Sequence, residues 1–187
     1  MLAYVFWHWK EEQTDPQDYE ASLRDFHAVL TADKPPGLVQ TVVFRIAGAP
    51  WIPANAPAYE DWYLLDGSAA LDSLNEAAVS GRRKLPHDAV ARQAKGGAGG
   101  LYRLRSGAGG IEGAPFAVWL SKPAGVTYER FYEKLSPWTS LPETSLWQRQ
   151  MTLGPATEFC LHARKVAGLP VEFQESSVCL DRIWPES

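Results

Sequence analysis

The sequence predicts an α+β fold of two ferredoxin-like βαββ(α)β repeats, on three observations. Strand-length apolar segments and amphipathic helical segments follow one another in the order β-α-β-β-α-β over residues 1–106. A glycine-rich stretch, SGAGGIEGAP, comes next at 106–115. Beyond it the pattern restarts: YVFWHWK at 4–10 is echoed by FAVWLSK at 116–122, with Trp and Lys at the same offset. The chain therefore divides into a first repeat at 1–106, a Gly-rich linker at 107–115 and a second, shortened repeat at 116–187.

Each element has its own signal. In residues 2–9 Leu2, Tyr4, Phe6 and His8 alternate with Ala3, Val5, Trp7 and Trp9, so both faces are apolar or aromatic, which suits a central strand. A helix is expected from about Asp18, its N-cap, because Tyr19, Leu23, Phe26 and Leu30 form one stripe. The β-branched run LVQTVVFRI (38–46) and YEDWYLLD (59–66) read as strands, separated by a Pro/Ala-rich loop at 47–58. Ser68 caps a helix carrying Leu71, Leu74 and Ala78, and a further helix starts near residue 87. GGAGG (96–100) reads as a helix stop and flexible turn before a strand at 101–105. It lacks the GK[ST] sequel of a phosphate loop.

In the second half, strands are expected at 116–121, 146–153, 158–163 and 177–184. A helix carries Tyr128, Phe131, Tyr132 and Leu135. The segment 164–175 is too short and Pro-broken for a second helix. Tyr19-Glu20 is matched to Tyr128-Glu129, Asp61-Trp62 to Glu158-Phe159, and LVQ (38–40) to LWQ (146–148). The two halves are expected as two antiparallel sheets that bury their bare faces against each other.

This layout resembles the dimeric α+β barrel superfamily, with both halves fused in one chain as an intrachain α+β barrel. That group includes small monooxygenases, muconolactone-isomerase-like and EthD-like proteins, and haem-binding relatives of chlorite dismutase. The resemblance is one of topology and carries over no catalytic residue. It implies a small-molecule-binding protein, or a cofactor-independent enzyme, acting on an aromatic or polyketide-like compound in a barrel cavity. The alternatives are a non-catalytic ligand carrier or structural domain with a side-chain-filled barrel, and a haem-binding protein with His27 as axial ligand.

Composition narrows the partners. At 187 residues, 45% hydrophobic and 21% charged, the chain is ordinary globular protein. A net charge of −4 with interspersed signs gives no basic field for nucleic acid. No stretch is long and apolar enough to span a membrane, and MLAYVFWHWKEE lacks the form of a signal peptide. Cys160 and Cys179, in apolar strand-like runs, read as buried free thiols of a cytoplasmic protein, kept apart by the strand carrying Trp119. The expected partner is a small hydrophobic or aromatic ligand, with no cofactor or metal, and the chain is expected as monomer or homodimer.

Candidate site residues concentrate in the first half. Trp7, Trp9 and Trp51 are expected to line an aromatic cavity, with Trp51 in a loop that can act as a lid. His8, near the end of a central strand, can act as a base. His87 and Asp88, placed at a helix N-terminus, suit a neutral general base beside an acid. Arg45 is expected to meet an acid of residues 59–61 across the sheet, and Tyr63 to face the ligand. His162, two residues from Cys160, is the second half's only comparable group.

Overall fold

The computed structural model describes residues 1–53, 56–152, 157–165, 168–173 and 175–186. Residue 153, expected at a strand end, lies outside these, as do parts of the 47–58 loop and of 164–175. Strand β1 (Leu2–Lys10) leads to helix α1 (Pro16–Ala32), then β2 (Leu38–Ile46), β3 (Ala58–Leu65), α2 (Ala69–Ala78), α3 (Lys84–Gln93) and β4 (Ala94–Gly107). The second half holds β5 (Phe116–Leu120), α4 (Tyr128–Thr139), β6 (Ser145–Thr152), β7 (Phe159–Ala163) and β8 (Ser176–Trp184). No helix among the described residues is long and apolar enough to cross a membrane.

The strands form one closed antiparallel barrel in the order β1-β3-β2-β8-β5-β7-β6-β4. The expectation of two separate sheets is corrected here. The sheets β4-β1-β3-β2 and β8-β5-β7-β6 join at both edges, through β2–β8 and β4–β6. Closure pairs every edge, which an open sheet leaves as unsatisfied backbone groups.

Three local expectations also change. Helix α1 starts at Pro16 and is capped by Asp15, whose side chain accepts from the Gln17 amide at 2.7 Å, rather than by Asp18. Helix α3 starts at Lys84, so Pro86 sits in its first turn, where a missing N–H costs nothing, and His87 and Asp88 fall beyond the terminus. GGAGG is not a turn but the first half of β4. Its glycines make room for rings from β1: a Cβ on Gly97 would lie 2.5 Å from the Phe6 ring, and one on Gly99 2.7 Å from the Tyr4 hydroxyl. Aromatic side chains laid over glycine backbone are a known way to steady such a strand.

Alternation along the strands divides side chains between lumen and outer face. Trp7, Trp62, Trp119, Trp147 and Tyr102 are all fully buried in the lumen. Trp51, from the loop joining β2 to β3, closes one mouth and packs edge-on against Trp7 and Trp119, with ring centroids at 5.4 and 5.2 Å. Ile111, from the segment between β4 and β5, is buried in the same cluster at the opposite end. The lumen is therefore a packed core. The outer face of β1 and β3 meets α1, α2 and α3, and that of β5 and β7 meets α4.

Cys160 is buried as expected but Cys179 is exposed, and β5 lies between their strands. The exposure follows from alternation: Val178, its neighbour, takes the lumen side.

A carboxyl group, that of Glu60, sits in this core. Glu60 accepts from the Trp7 indole N–H at 2.7 Å and the Trp62 indole N–H at 2.6 Å. Burial pushes its pKa up to about 7, against the two indole hydrogen bonds. Between its ordinary value of 4.5 and about 7, the native state keeps a proton that the unfolded chain releases. Stability should therefore fall as pH rises through that window, by on the order of 3 kcal/mol from this group. Urea unfolding across the window should show this fall in the wild type and a flatter profile in Glu60→Gln. Parallel profiles would mean that Glu60 is not held out of water.

Candidate functional site

Among the described residues, an apolar cavity of ligand size lies outside the barrel. A groove of about 710 Å³ runs between the outer face of β1 and β3 and the helices α1, α2 and α3. It exists for two reasons. Gly96 and Gly97 of β4 add no side chains to its floor, and α3 buries none of its residues against the sheet. Tyr4 and Phe6 form the floor, Leu23 and Phe26 of α1 one wall, and Leu71, Leu74 and Val90 of α2 and α3 the other. The apolar surface is interrupted by His8, Tyr19, Asp61, Tyr63, His87 and Lys95.

Asp61 is the centre of the polar part. It is 3% exposed and lies on β3 opposite Phe6, diagonal to His8 of β1. Its Oδ1 is 3.0 Å from His8 Nε2, while its Oδ2 is 3.3 Å from His27 Nε2 and accepts from the Tyr63 hydroxyl at 3.2 Å. Burial alone would raise the Asp61 pKa, but the charges and hydrogen bonds of His8 and His27 outweigh it and hold it well below the usual carboxylate range. On its other side His8 Nδ1 lies 2.7 Å from the Tyr19 hydroxyl. The imidazole is fixed between Phe6 and Tyr59, both stacked on it with centroids at 5.4 and 5.5 Å. Tyr19 and Tyr63 have their pKa values raised, by burial first and by the Asp61 charge second.

An ionised Asp61 accepts only, so His8 Nε2 donates to it, and in the neutral imidazole Nδ1 then accepts from the Tyr19 hydroxyl. Tyr19, His8, Asp61 and His27 thus form one continuous chain of hydrogen bonds that runs from the groove's inner wall to the buried His27 behind it. Adjacent residues of β3 face opposite ways, so Glu60 lies in the lumen and Asp61 in the groove.

No family model and no curated protein matches the chain. Among the solved structures that resemble it are two. One is described as an anthrone oxidase-like protein: 10% identity, 96% of this chain and 72% of that chain covered, TM-score 0.50. The other is described as a "putative monooxygenase" from Lactobacillus acidophilus NCFM: 8% identity, 97% and 94% covered, TM-score 0.53. At this identity the likeness is one of fold, a closed eight-stranded antiparallel barrel with helices on its outer face.

Of the residues singled out from sequence, the groove brings together His8, Tyr63 and His87. Trp7 and Trp51 belong to the lumen, with Trp9 packed against its rim, so the ring-lined ligand cavity expected inside the barrel is instead solid core. The 47–58 loop carries Trp51 into the barrel mouth, not over the groove. Arg45 pairs with neither acid of that stretch, Glu60 or Asp61: it stands opposite Tyr59, lies outside the groove and pairs with Glu20 of α1 at 2.8 Å and Asp181 at 3.3 Å. Asp88 pairs with Lys84 one turn earlier and with His87, on the outer side of α3.

His27 is fully buried with Nε2 directed at Asp61, which does not suit a haem ligand. His162 faces the lumen against the Trp62 ring, 4.6 Å between centroids, and burial lowers its pKa to about 3. Among the described residues no group of three His, Cys, Asp or Glu is placed to hold a metal.

Tyr19 and Asp61 escaped the sequence reading as site residues. One looked like core of an amphipathic helix, the other like half of an ordinary ion pair. The available signal was period-two spacing: His8 and Asp61 are the polar members of otherwise aromatic outer faces, Tyr4-Phe6-His8 and Tyr59-Asp61-Tyr63.

Removing the carboxylate leaves several buried donors without an acceptor. Asp61→Ala should lower stability by about 3–5 kcal/mol, the range for breaking a buried pair on one side. Chemical denaturation measures it, and a loss below about 1 kcal/mol, the range of exposed pairs, would mean the cluster is open to water.

Proposed function

We propose that this protein is a cofactor-independent enzyme on the dimeric α+β barrel scaffold, acting on a small aromatic or polyketide-like molecule bound in the outer groove of the first half. The chain is read as a tandem fusion of two ferredoxin-like repeats, at 1–106 and 116–187, joined by the segment 107–115. Several features support the duplication. The strand orders β4-β1-β3-β2 and β8-β5-β7-β6 correspond one for one. Trp7 and Trp119 both fill the lumen. The Lys10 Nζ donates to the carbonyls of Glu11 and Thr14, and the Lys122 Nζ to those of Pro123 and Val126, one and four residues on in each case. Five residues after each lysine stands a helix N-cap, Asp15 or Thr127.

This register differs from three of the sequence matches. Counting from the caps pairs Tyr19 with Phe131, not Tyr128. Trp7 lies opposite Glu60 and Trp119 opposite Cys160, which pairs Asp61 with Leu161 rather than Glu158. Val43 then corresponds to Leu146, which moves LVQ out of step with LWQ.

The comparison of the halves carries the functional reading. Where the first half has His8, Tyr19 and Asp61, the second has Leu120, Phe131 and Leu161, all buried in one apolar cluster under α4. The same scaffold position can thus be closed with hydrocarbon, and burying a charge there has a desolvation cost that packing does not require. A polar chain kept beside an apolar groove of ligand size is the arrangement of a binding and reaction site. The two structural neighbours, described as anthrone oxidase-like and monooxygenase, are compatible with that class of chemistry.

A thermal-shift screen of flat aromatic compounds should find ligands, since binding raises the melting temperature by mass action. Ala78→Trp, which fills the groove from α2, should weaken a hit by about tenfold or more, whereas a change at Trp51 acting only through the lumen should not. Hits insensitive to Ala78→Trp would place the site elsewhere. The triple variant His8→Leu, Tyr19→Phe, Asp61→Leu copies the second half. It should regain much of the stability lost in Asp61→Ala and turn over no substrate. Turnover by the triple variant would leave the groove as a carrier site without catalytic groups of its own.

A further inference from the structure

Both ring nitrogens of His8 are taken by the protein, Nδ1 by Tyr19 and Nε2 by Asp61. A base in that position has no lone pair to offer a ligand. Tyr19 is different. With His8 neutral, its hydroxyl gives its one hydrogen to Nδ1 and keeps acceptor capacity, and its side chain, itself fully buried, borders the groove from α1. The order Tyr19–His8–Asp61 follows the logic of a nucleophile–base–orienter chain, with a phenol in first place.

We propose that Tyr19, not His8, is the catalytic residue that exchanges a proton with the molecule in the groove, and that His8 behind it takes up that proton. The proposal rests on the groove being the ligand site. The transfer balances without an oxidant. The O–H bond of a phenolic or enolic ligand breaks and its proton passes to Tyr19 Oη. The proton already on Tyr19 passes to His8 Nδ1, and the electron pair stays on the ligand oxygen. Ligand phenolate or enolate and His8 imidazolium result, the latter held against ionised Asp61.

Every hydrogen bond survives the change. His8 Nδ1–H now donates to Tyr19, and Tyr19 donates to the ligand oxyanion. Tyr19 never becomes a free tyrosinate, which its buried position beside the Asp61 charge would oppose. Running the same steps backwards returns a proton to the ligand. His27 and Tyr63 act through Asp61 by keeping its carboxylate in place, and are positioning residues.

The test uses 4-nitrophenol, whose neutral and ionised forms differ in absorbance, with the purified full chain. At a pH where the free probe is mostly neutral, wild-type protein should raise the phenolate fraction by about tenfold, one unit in the probe's apparent pKa. Tyr19→Phe should lose this rise, and so should Asp61→Asn, which keeps the shape of the orienting group and removes its charge. Persistence of the rise in Tyr19→Phe with loss in His8→Gln would show His8 acting directly and overturn the proposal. Saturable binding to the wild type, followed by protein fluorescence and abolished by Ala78→Trp, with no change in probe ionisation would overturn it and leave the groove reading standing. This wild-type measurement decides the matter even if a variant fails to fold. No saturable binding would count against the groove itself and remove the proposal with it.

Discussion

Strand β3 has no exposed face and no free edge. It pairs with β1 on one side and β2 on the other, and all eight of its residues are buried. Two neighbouring acids, Glu60 and Asp61, are therefore both taken out of water, on opposite sides of one sheet. Each must be met by donors or protonated. Glu60 meets two indoles on the lumen side, one from its own strand and one from β1, and Asp61 meets two imidazoles and a phenol on the groove side. Much of the molecule's polar architecture follows from this. The position of Trp7 and Trp62 in the core, the tautomer of His8 and the direction of the Tyr19 hydroxyl are all consequences of where these two carboxyls lie.

The two acids have opposite fates because their partners differ in kind. Indole N–H groups are neutral, so they only partly offset desolvation and Glu60 holds its proton toward neutral pH. Imidazoles can carry charge, so Asp61 stays ionised in an equally dry place. An ionised group facing a groove can support a proton movement in its neighbour, while a group sealed among rings has no ligand to act on. The lumen thus serves stability, and the chemistry proposed above falls to the outer groove.

The glycine run of β4 links fold to site. Side chains at 96 and 97 would collide with Trp9 and Phe6, and their absence lets those rings lie across the strand. The same absence leaves room beneath α2 and α3. The groove is therefore not a packing failure but the counterpart of a ring-covered strand, with α3 standing over it without burying a residue.

Much of the fold was legible in the sequence because strands and helices declare themselves by period, and a repeated period declares a repeated order of elements. The apolar faces of residues 2–9, the runs at 38–46 and 59–66, and the break at 106–115 are local facts, and eight strands follow from them with ends shifted by a residue or two, except at β4. That strand begins seven residues before the expected one because its glycines answer to rings on β1, a non-local cause. The site was legible only in part, for the same reason. His8 and Tyr63 could be read as facing one way along their strands, but the register, which sets Asp61 opposite Phe6, decides that its carboxylate reaches His8 diagonally, and helix docking decides that Tyr19 reaches His8. Whether Trp51 covers a cavity or plugs a barrel depends on which face of the sheet is lumen. Period-two alternation separates the two faces of a strand without saying which is inside, and only closure of the barrel assigns them.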